Sequence, residues 1–320
     1  MTSAYPERGD RLLPAGAMSP LDPHMVPRQS QGTMSIPSTR PLDPGLTEVL
    51  RRIDAVCISQ ALPYLLTGAM AREILLVHGL GLPPGRATRD VDFGVLVKTW
   101  AAFDTFRSAL LETRDFLPDP SVQHRIYSVS DRLGFRMPVD LVPFGGLEAP
   151  KGCVAWPPQG EVVMDVRGYE VAHLHALRLE IQPGLVIPLP SAEGILVMKT
   201  LAWKDRGNTT QGRDAIDLVE ILERAEAIID LEVLYDEHMN VVEAWGGDLR
   251  LAGAWVLGVR TRSIAGEKLA AELAAILDFG LIPTLIPQVL RGHGAMHSVA
   301  RYEAIEGIVR AFISGLQNHE

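Results

Sequence analysis

The sequence predicts an α+β fold, with a mixed sheet and flanking helices over residues 46–190 and a helical region over residues 191–320. Before residue 190, short apolar runs that alternate with a period of two are separated by helical patterns and turn signals. After it, apolar residues recur mostly at helical spacing. No stretch holds about 20 uninterrupted apolar residues, so we expect no membrane-spanning helix.

Residues 1–45 are expected to form a disordered tail. They hold eight of the 23 prolines, and their apolar residues follow neither a helical nor a strand period. Proline offers no backbone N–H to a helix or a sheet, so this composition disfavours regular elements.

The first structural elements are predicted from Leu46 onwards, where apolar residues at i, i+3, i+4 and i+7 indicate an amphipathic helix. Residues 63–67 are a short apolar run that ends at Gly68, which predicts a buried strand. A helix of good helix formers is expected over 69–78. Residues 79–86 are rich in glycine and proline and predict a loop.

Residues 90–97 predict the next strand, with apolar side chains on one face and two aspartates on the other. Thr99 is the expected N-cap of a following helix. The buried stripe of that helix comprises Trp100, Phe103, Phe106 and Leu110. Residues 122–130 and 133–144 predict a β-hairpin.

Two extended segments around Gly168, over 162–166 and 169–181, complete the strand-rich region. Pro188 and Pro190 end that run. The helical region is predicted to hold helices at about 192–206, 213–228, 230–244, 248–262, 265–278 and 296–316.

The chain is acidic, with 39 Asp and Glu against 30 Lys and Arg and a formal net charge of −9. This excludes a general nucleic-acid coat protein, because any polyanion that binds must meet a local basic patch. The two cysteines cannot form a multi-disulfide scaffold. They fit a reducing compartment, so a cytoplasmic location is expected.

Asp90 and Asp92 are the first candidates for chemistry. On a strand, residues i and i+2 point the same way, and two unpaired carboxylates so close together are costly. A divalent cation such as Mg²⁺ removes that cost. The alternative is chance, because about one Asp-x-Asp is expected at random in a chain with 19 Asp, and exposed aspartates at a strand end need no ligand.

Asp140 strengthens the metal hypothesis, because it is the one charge in the apolar run 137–144. A lone carboxylate in such a strand usually has a partner. If this strand neighbours the 90–97 strand, three carboxylates converge, as in two-metal phosphoryl-transfer sites. Upstream, the backbone N–H groups of Gly68 and Ala69 open a helix and could hold a phosphate.

Taken together and in order, five stretches resemble the nucleotidyltransferase superfamily with its polymerase-β-like fold, and more closely its AbiEii/AbiGii toxin branch. The toxins of this branch belong to abortive-infection toxin–antitoxin systems. The resemblance runs from about Leu46 to Leu222. It is carried by Thr67-Gly68-Ala69-x-Ala71-Arg72, the segment Arg86-Ala87-Thr88-Arg89-Asp90-Val91-Asp92-Phe93, the segment Val139-Asp140-Leu141-Val142-Pro143-Phe144, the segment 199–206 and the segment Arg213-Asp214-Ala215-Ile216-Asp217-Leu218.

The resemblance implies a nucleoside triphosphate as substrate and Mg²⁺ or Mn²⁺ as cofactor. The implied catalytic residues and metal ligands are Asp90, Asp92 and Asp140. The implied nucleotide- and phosphate-binding residues are Gly68, Ala69, Arg89, Lys199, Arg206 and Asp214.

Two positions depart from the family pattern. Ala69 stands where Ser or Gly is usual, which removes one hydroxyl contact to phosphate but keeps the backbone. Arg213 stands where Lys is common, which keeps the charge but changes the geometry of a phosphate contact. Neither departure deletes an implied metal ligand.

Two further groups of residues have a structural alternative to a functional role. Asp214 and Asp217 could serve the active site, or they could form a structural clamp with Lys204 or Arg206, and the two interpretations carry about equal weight. Two histidines at 173 and 175 would share a strand face, but no third ligand lies near them in sequence, so no zinc site is expected.

The implied reaction is transfer of a nucleoside monophosphate from the triphosphate to a hydroxyl, with an RNA or tRNA 3′ end as acceptor and an antitoxin protein as partner. No membrane association is expected. One alternative is the same chemistry on a small molecule or a protein, which the net charge of −9 favours over RNA. Another is an inactive nucleotide-binding interaction module, against which the retention of three aspartates argues.

Overall fold

The structure is a computed structural model that describes residues 33–37, 39–129, 136–158, 160–292 and 299–318. Within the described part, the chain from residue 33 to residue 318 belongs to one compact unit.

The end of the predicted tail is part of this fold. Residues 1–32 lie outside the described residues, but Thr33–Ser35 form strand β1, which pairs in parallel with Leu177–Gln182. The first helix begins at Pro44, earlier than expected, because the Asp43 carboxylate accepts hydrogen bonds from two N–H groups of its first turn. The predicted boundary of the tail is therefore too late. The sequence of the tail gave no sign of the sheet edge that pairs with β1.

The strands that follow β1 are β2 (Tyr64–Thr67), β3 (Val91–Val97), β4 (Phe116–Pro118), β5 (Arg125–Ser128), β6 (Met137–Gly145), β7 (Cys153–Ala155), β8 (Val163–Asp165), β9 (Leu177–Gln182) and β10 (Leu185–Leu189). The helices are α1 (Pro44–Ser59), α2 (Gly68–Glu73), α3 (Trp100–Glu112), α4 (Arg167–Leu174), α5 (Ala192–Arg206), α6 (Arg213–Leu222), α7 (Ala225–Ile229), α8 (Leu231–Glu237), α9 (Met239–Ala244), α10 (Leu249–Ala265), α11 (Glu267–Gly280), α12 (Ile286–Gly292) and α13 (Val299–Leu316). Two π-helical stretches, Ile74–Gly79 and Leu281–Leu285, extend α2 and join α11 to α12.

Five strands form the central mixed sheet, in the order β2-β3-β6-β5-β4. β3 and β6 are parallel, and the other neighbouring pairs are antiparallel. This sheet and the helices that follow it confirm the predicted fold class. β5 and β6 pair as the predicted hairpin requires, although residues 130–135, which would form its turn, lie outside the described residues.

The apolar face of β3 belongs to the core, as its alternation predicts. Its buried side chains are Val91, Phe93, Val95 and Val97. Helix α3 contacts β3 and buries Phe103, Phe106 and Leu110. Thr99 caps this helix, since its hydroxyl oxygen accepts a hydrogen bond from the Ala102 N–H at 3.2 Å. The other face of β3 carries Asp92, Gly94 and Leu96, and Leu96 packs there against an apolar cluster that includes Phe144 of β6.

Helix α4 replaces the first half of the extended segment predicted over 169–181, and only β9 is a strand there. A Cβ at Gly168 would lie 3.1 Å from the Cα of Met198, so α4 packs closely on α5. This contact with a distant part of the chain outweighs the local β-propensity of the segment. His173 consequently lies on a helix, and no strand face is shared with His175.

The helical region forms largely as predicted, but two expected helices are interrupted. The segment predicted over 213–228 divides into α6 and α7, and the one over 230–244 divides into α8 and α9. α10 and α13 cross closely, since a Cβ at Gly258 would lie 2.9 Å from the Cα of Gly315. Helix α12 was not expected from the sequence.

One helical stretch of the described chain, Glu267–Arg291, is long and apolar enough to cross a membrane by length and composition. A single stretch of this kind is weak evidence for a membrane span, so the expectation of no membrane-spanning helix is not contradicted. Of the most apolar 18-residue window of this stretch, 44% is buried inside the protein. Leu273, Leu277 and Leu285 of the stretch belong to the core. A core helix of a soluble protein has the same length and composition.

Candidate active site

A row of polar side chains crosses four neighbouring strands of the central sheet. The register pairs Thr67 of β2 with Asp92 of β3, Asp92 with Asp140 of β6, and Asp140 with Arg125 of β5. Residues paired in register on neighbouring strands point to the same face of a sheet. Asp92 and Asp140 therefore lie side by side on the face of the sheet opposite to Val91 and Phe93. We call these four residues the cross-strand row.

Asp90 lies directly before β3, two residues from Asp92, and its carboxylate accepts a hydrogen bond from the Thr88 hydroxyl. Asp92 experiences the charges of both Asp90 and Asp140. The structure thus places Asp92 within range of the charges of the other two predicted catalytic carboxylates, and the convergence of all three on one metal site stays a prediction.

Asp92 is hard to ionise in this setting. Its burial, and then the charges of Asp90 and Asp140, raise the pKa of the Asp92 carboxyl to about 7. Lys199 and Arg206 act in the opposite direction without offsetting the rise. Around Asp92 the protein supplies too little positive charge, which a bound cation would provide.

Asp140 has a partner within the cross-strand row. Arg125 donates one hydrogen bond from Nε to Oδ1 and another from Nη2 to Oδ2, each 2.7 Å long. This two-bond geometry is the strongest form of an Arg–carboxylate pair. Sequence reasoning missed Arg125, although the predicted hairpin already placed it on the strand beside Asp140.

Gly68 is pressed against Asp92. Its φ is +71°, and a Cβ at this position would lie 1.9 Å from Oδ2 of Asp92. Glycine satisfies both constraints, because it adopts positive φ readily and has no side chain. The N–H groups of Gly68 and Ala69 thus belong to a turn that touches a predicted metal ligand. Their role in holding phosphate stays a prediction.

The donor set of Asp90, Asp92 and Asp140 fits Mg²⁺ or Mn²⁺ chemically, because it consists of hard carboxylate oxygens. The raised pKa of Asp92 fits the same conclusion. In this conformation, no group of three His, Cys, Asp or Glu side chains within the described chain is placed to hold a metal ion. Thr88 and Arg125 hold two of the three carboxylates instead. Coordination by all three requires their side chains to rearrange.

A second charged group is buried where α5 and α6 meet α2. Lys199 Nζ lies 2.9 Å from Oδ1 of Asp214 and 2.7 Å from Oδ2 of Asp217. Arg72, almost fully buried, places Nη1 3.1 Å from Oδ1 of Asp217 and also contacts Glu220. We call these five residues the buried ion cluster. It ties the strand-rich part of the chain to the helical part.

The aspartates of the buried ion cluster are paired with cations, although the buried Nε of Arg72 has no hydrogen-bond partner among the described residues. Burial by itself raises the pKa of Asp217, but Lys199 and Arg72 outweigh burial and hold that pKa below its usual value. For Lys199, burial acts to lower the pKa, but the charges of Asp217 and Asp214 outweigh burial. The pKa of Lys199 is therefore raised. Arg86 adds a third cation, with its Nε 3.2 Å from Oδ1 of Asp217. The resemblance included Arg72 and Arg86, but neither residue was given a role.

The predicted phosphate-binding cations lie in different surroundings. The Lys199 side chain is 10% exposed and bonded to two aspartates. The Arg206 side chain is 57% exposed and contacts Asp214 through Nε alone, at 3.3 Å. Arg89 is exposed and has no ion-pair partner among the residues described. Arg206 and Arg89 are therefore more accessible to a phosphate than Lys199.

The structural clamp considered for Asp214 and Asp217 is present, with one of its two expected partners, Arg206, and with Lys199 in addition. Asp214 pairs with Arg206 and Lys199, and Lys204 pairs with Glu272 of α11 instead. The carboxylate of Asp214 already has these two cationic partners. Its role in nucleotide binding stays a prediction.

Tyr169 of α4 is another residue at this face that sequence reasoning missed. Its ring packs on Phe144, with centroids 5.6 Å apart, and over Gly94, where a Cβ would lie 2.7 Å from the ring. Gly94 is two residues after Asp92 and shares its face. The segment was predicted to be extended, so nothing in the sequence pointed to the contact.

The family model described as "Nucleotidyl transferase AbiEii toxin, Type IV TA system" matches residues 49–283, well over half of the 320 residues. The chain belongs to this family. It is a nucleotidyltransferase, and the resemblance seen in its sequence is confirmed. No curated protein matches this AbiEii-family chain.

Two solved structures are similar to the AbiEii-family chain at low identity. One is the crystal structure of an antigenic nucleotidyltransferase-like protein from Paracoccidioides brasiliensis, with 19% identity, 66% of this chain and 94% of that chain covered, and a TM-score of 0.39. The other is the solution structure of the antibiotic-resistance factor ANT(2'')-Ia, with 15% identity, 64% and 98% covered, and a TM-score of 0.34.

Proposed function

We propose that this protein is a cytoplasmic toxin of a toxin–antitoxin pair that uses Mg²⁺ or Mn²⁺ to transfer a nucleoside monophosphate to the 3′ end of an RNA such as tRNA. The observation that carries the proposal is the register of Asp92 against Asp140, with Asp90 two residues away. Family membership supplies the reaction class. The geometry of the carboxylates supports the dependence on a divalent cation.

In the proposed reaction, the oxygen of the acceptor hydroxyl attacks the α-phosphorus of the triphosphate. The bond from that phosphorus to the oxygen that bridges to the β-phosphate breaks, and pyrophosphate leaves with this oxygen. The hydroxyl proton passes to a carboxylate, for which Asp140 is the candidate. Asp90, Asp92 and Asp140 would hold the divalent cations, which would supply charge neutralisation at the phosphates.

The remaining residues of the site position the substrate. The N–H groups of Gly68 and Ala69 face the phosphates in this proposal, and the exposed Arg206 neutralises part of their charge. The buried Lys199 acts on the site through its charge, since it lowers the pKa of Asp92. The exposed Arg89, next to Asp90 in the chain, meets the backbone of the RNA.

The second candidate function is the same transfer to a small molecule or a protein hydroxyl. The observation that favours it is the net charge of −9, which repels RNA outside a local basic patch. An antitoxin protein remains the proposed partner in either case.

The test is incubation of the purified chain with each labelled nucleoside triphosphate, total RNA and Mg²⁺, followed by gel separation. We expect label in an RNA band with at least one nucleotide, and none with the double variant Asp90→Asn/Asp92→Asn or with EDTA. Label that appears only on protein or on a small molecule would support the second candidate. Absence of any transfer with all four nucleotides, in Mg²⁺ and in Mn²⁺, would contradict the proposal.

A further inference from the structure

Arg125 occupies both oxygens of Asp140, the carboxylate that the proposed reaction needs, so this ion pair must affect the reaction. Asp140 stands between Asp92 on one strand and Arg125 on the other. Both of its oxygens accept hydrogen bonds from Arg125 at 2.7 Å. Asp92 has no such cation in direct contact within the described chain.

We propose that Arg125 is an internal countercharge of the active site, which neutralises Asp140 when no divalent cation is bound and releases part of that carboxylate when one binds. The proposal rests on the metal dependence of the proposed function. Arg125 is in this view a positioning residue, since it acts through Asp140 and not on the substrate.

The accessibility of the two side chains supports an exchange of partners. The Asp140 side chain is 13% exposed and the Arg125 side chain 30%, so Arg125 can turn towards water while Asp140 stays in place on β6. Each carboxylate oxygen has two lone pairs, and Arg125 uses one on each. The same oxygens therefore retain capacity for a second positive partner.

Electrostatics gives the exchange its direction. Three carboxylates close together repel one another, and a cation in contact with one of them reduces that repulsion. A divalent cation between Asp92 and Asp140 does this more strongly than Arg125, because it carries twice the charge. At such a short separation, however, Arg125 and the bound cation repel each other, so Arg125 must weaken cation binding.

The titratable neighbours of Arg125 do not alter the expectation that its charge weakens cation binding. Burial lowers the pKa of the His124 imidazole. The charge of Asp140 acts to raise this pKa and the charge of Arg125 acts to lower it. His124 is therefore mostly neutral at pH 8, where the experiment is set. Tyr127 has its pKa raised by its hydrogen bond to Asp119 and is also neutral there. Hydrogen bonds from Ser121 and Tyr127 lower the pKa of Asp119, so its charge is the same in the parent and in every variant.

The test is the affinity for Mn²⁺ in the full chain at pH 8 without nucleotide, from the electron paramagnetic resonance signal of unbound Mn²⁺. Arg125→Gln removes the charge and should bind Mn²⁺ about tenfold more tightly than the parent. Arg125→Lys keeps the charge but cannot make two parallel hydrogen bonds, and should lie between them. Without metal, Arg125→Gln should melt below the parent, and saturating Mn²⁺ should remove most of this difference.

The matched control is Arg250→Gln, which removes another two-bond Arg–Asp pair, with Asp248, at the start of α10. It should leave Mn²⁺ affinity unchanged. If the parent binds Mn²⁺ and Arg125→Gln binds it equally or more weakly, the countercharge is refuted while the metal-dependent function stands. If the parent binds no Mn²⁺ without nucleotide, the countercharge is refuted, and the transfer assay decides the proposed function separately. If Arg125→Gln does not fold, Arg125→Lys decides, because unchanged affinity in that variant refutes the proposal.

Discussion

Asp92 and Asp217 are the same residue type in two connected charged groups, and their pKa values move in opposite directions. The pKa of Asp92 is raised to about 7 by burial and by two neighbouring carboxylates. The pKa of Asp217 is lowered, although burial acts against it, because Lys199, Arg72 and Arg86 surround the carboxylate. Burial acts to raise the pKa of both carboxyl groups, although Asp217 is fully buried and Asp92 only half-buried, and the partners make the two shifts differ in direction.

This contrast separates a structural group from a functional one. The buried ion cluster satisfies its aspartates with cations from α2 and α5, and so it joins the two parts of the chain. The cross-strand row leaves Asp92 beside two carboxylates and without a direct cationic partner in the described chain. Residues that destabilise one another in the free protein are typical of sites that bind a charged ligand.

The largest expected effect comes from breaking the structural group. Asp217→Asn keeps the size of the side chain but leaves Lys199, Arg72 and Arg86 without their shared counterion. Removal of one partner from a buried pair typically costs about 3–5 kcal/mol. Thermal melting should therefore show a fall of roughly 5–10 °C for a chain of this size.

A surface pair provides the comparison for this variant. Glu306→Gln removes the ion pair with Arg310 within α13, where the two side chains are 24% and 47% exposed. The loss in free energy of unfolding of Glu306→Gln should stay below about 0.5 kcal/mol. Equal melting temperatures for Asp217→Asn and Glu306→Gln would show that the buried ion cluster does not carry stability.

The sequence predicted the strand-rich part best where burial repeats with a regular period. β3 follows from apolar alternation, and α3 from helical spacing and the cap at Thr99. β2 follows from a short continuous apolar run that ends at Gly68. The segment at α4 was missed, because its helix depends on close packing against α5 and not on its own residues. Strand β1 was missed for a related reason, since its hydrogen-bond partner β9 lies far along the chain.

The candidate site was predictable where it depends on strand geometry. The i, i+2 spacing of Asp90 and Asp92 and the lone charge at Asp140 placed three carboxylates on neighbouring strands. The positions of the cationic side chains were harder to predict from the sequence. The two hydrogen bonds from Arg125 to Asp140 and the burial of Lys199 depend on how separate elements pack. Local sequence shows charge but not the partner that satisfies it.

A smaller effect is expected when Gly68 acquires a side chain. Gly68→Ala places a methyl group where Oδ2 of Asp92 lies and forces a positive φ on alanine, at a cost of about 1–2 kcal/mol. Displacement of Asp92 should lower nucleotidyl transfer by about 10²-fold. Gly184→Ala is the control, since it also has a positive φ but meets no atom within 4 Å. It should keep full activity, and parallel losses in both variants would contradict the contact with Asp92.

The pH dependence of stability should be the smallest effect and should separate the two aspartates by sign. The folded pKa of Asp92 lies above its unfolded value of about 3.9, so its ionisation reduces stability as the pH rises from about 4 to about 7. Asp217, with a lowered pKa, stabilises the fold above its unfolded pKa and loses this contribution as the pH falls through its folded value. The melting temperature of Asp92→Asn relative to the parent should therefore rise between pH 5 and pH 8, whereas a constant difference would contradict the raised pKa.

The most direct test measures melting temperature and turnover of Asp92→Asn in parallel at pH 8. Asparagine keeps the shape of the side chain and removes the repulsion, so we expect melting at or slightly above the temperature of the parent. Turnover should fall by about 10³-fold, equivalent to about 4 kcal/mol of lost transition-state stabilisation. A melting temperature as low as that of Asp217→Asn, or turnover close to that of the parent, would contradict the assignment of Asp92 to function and of Asp217 to stability.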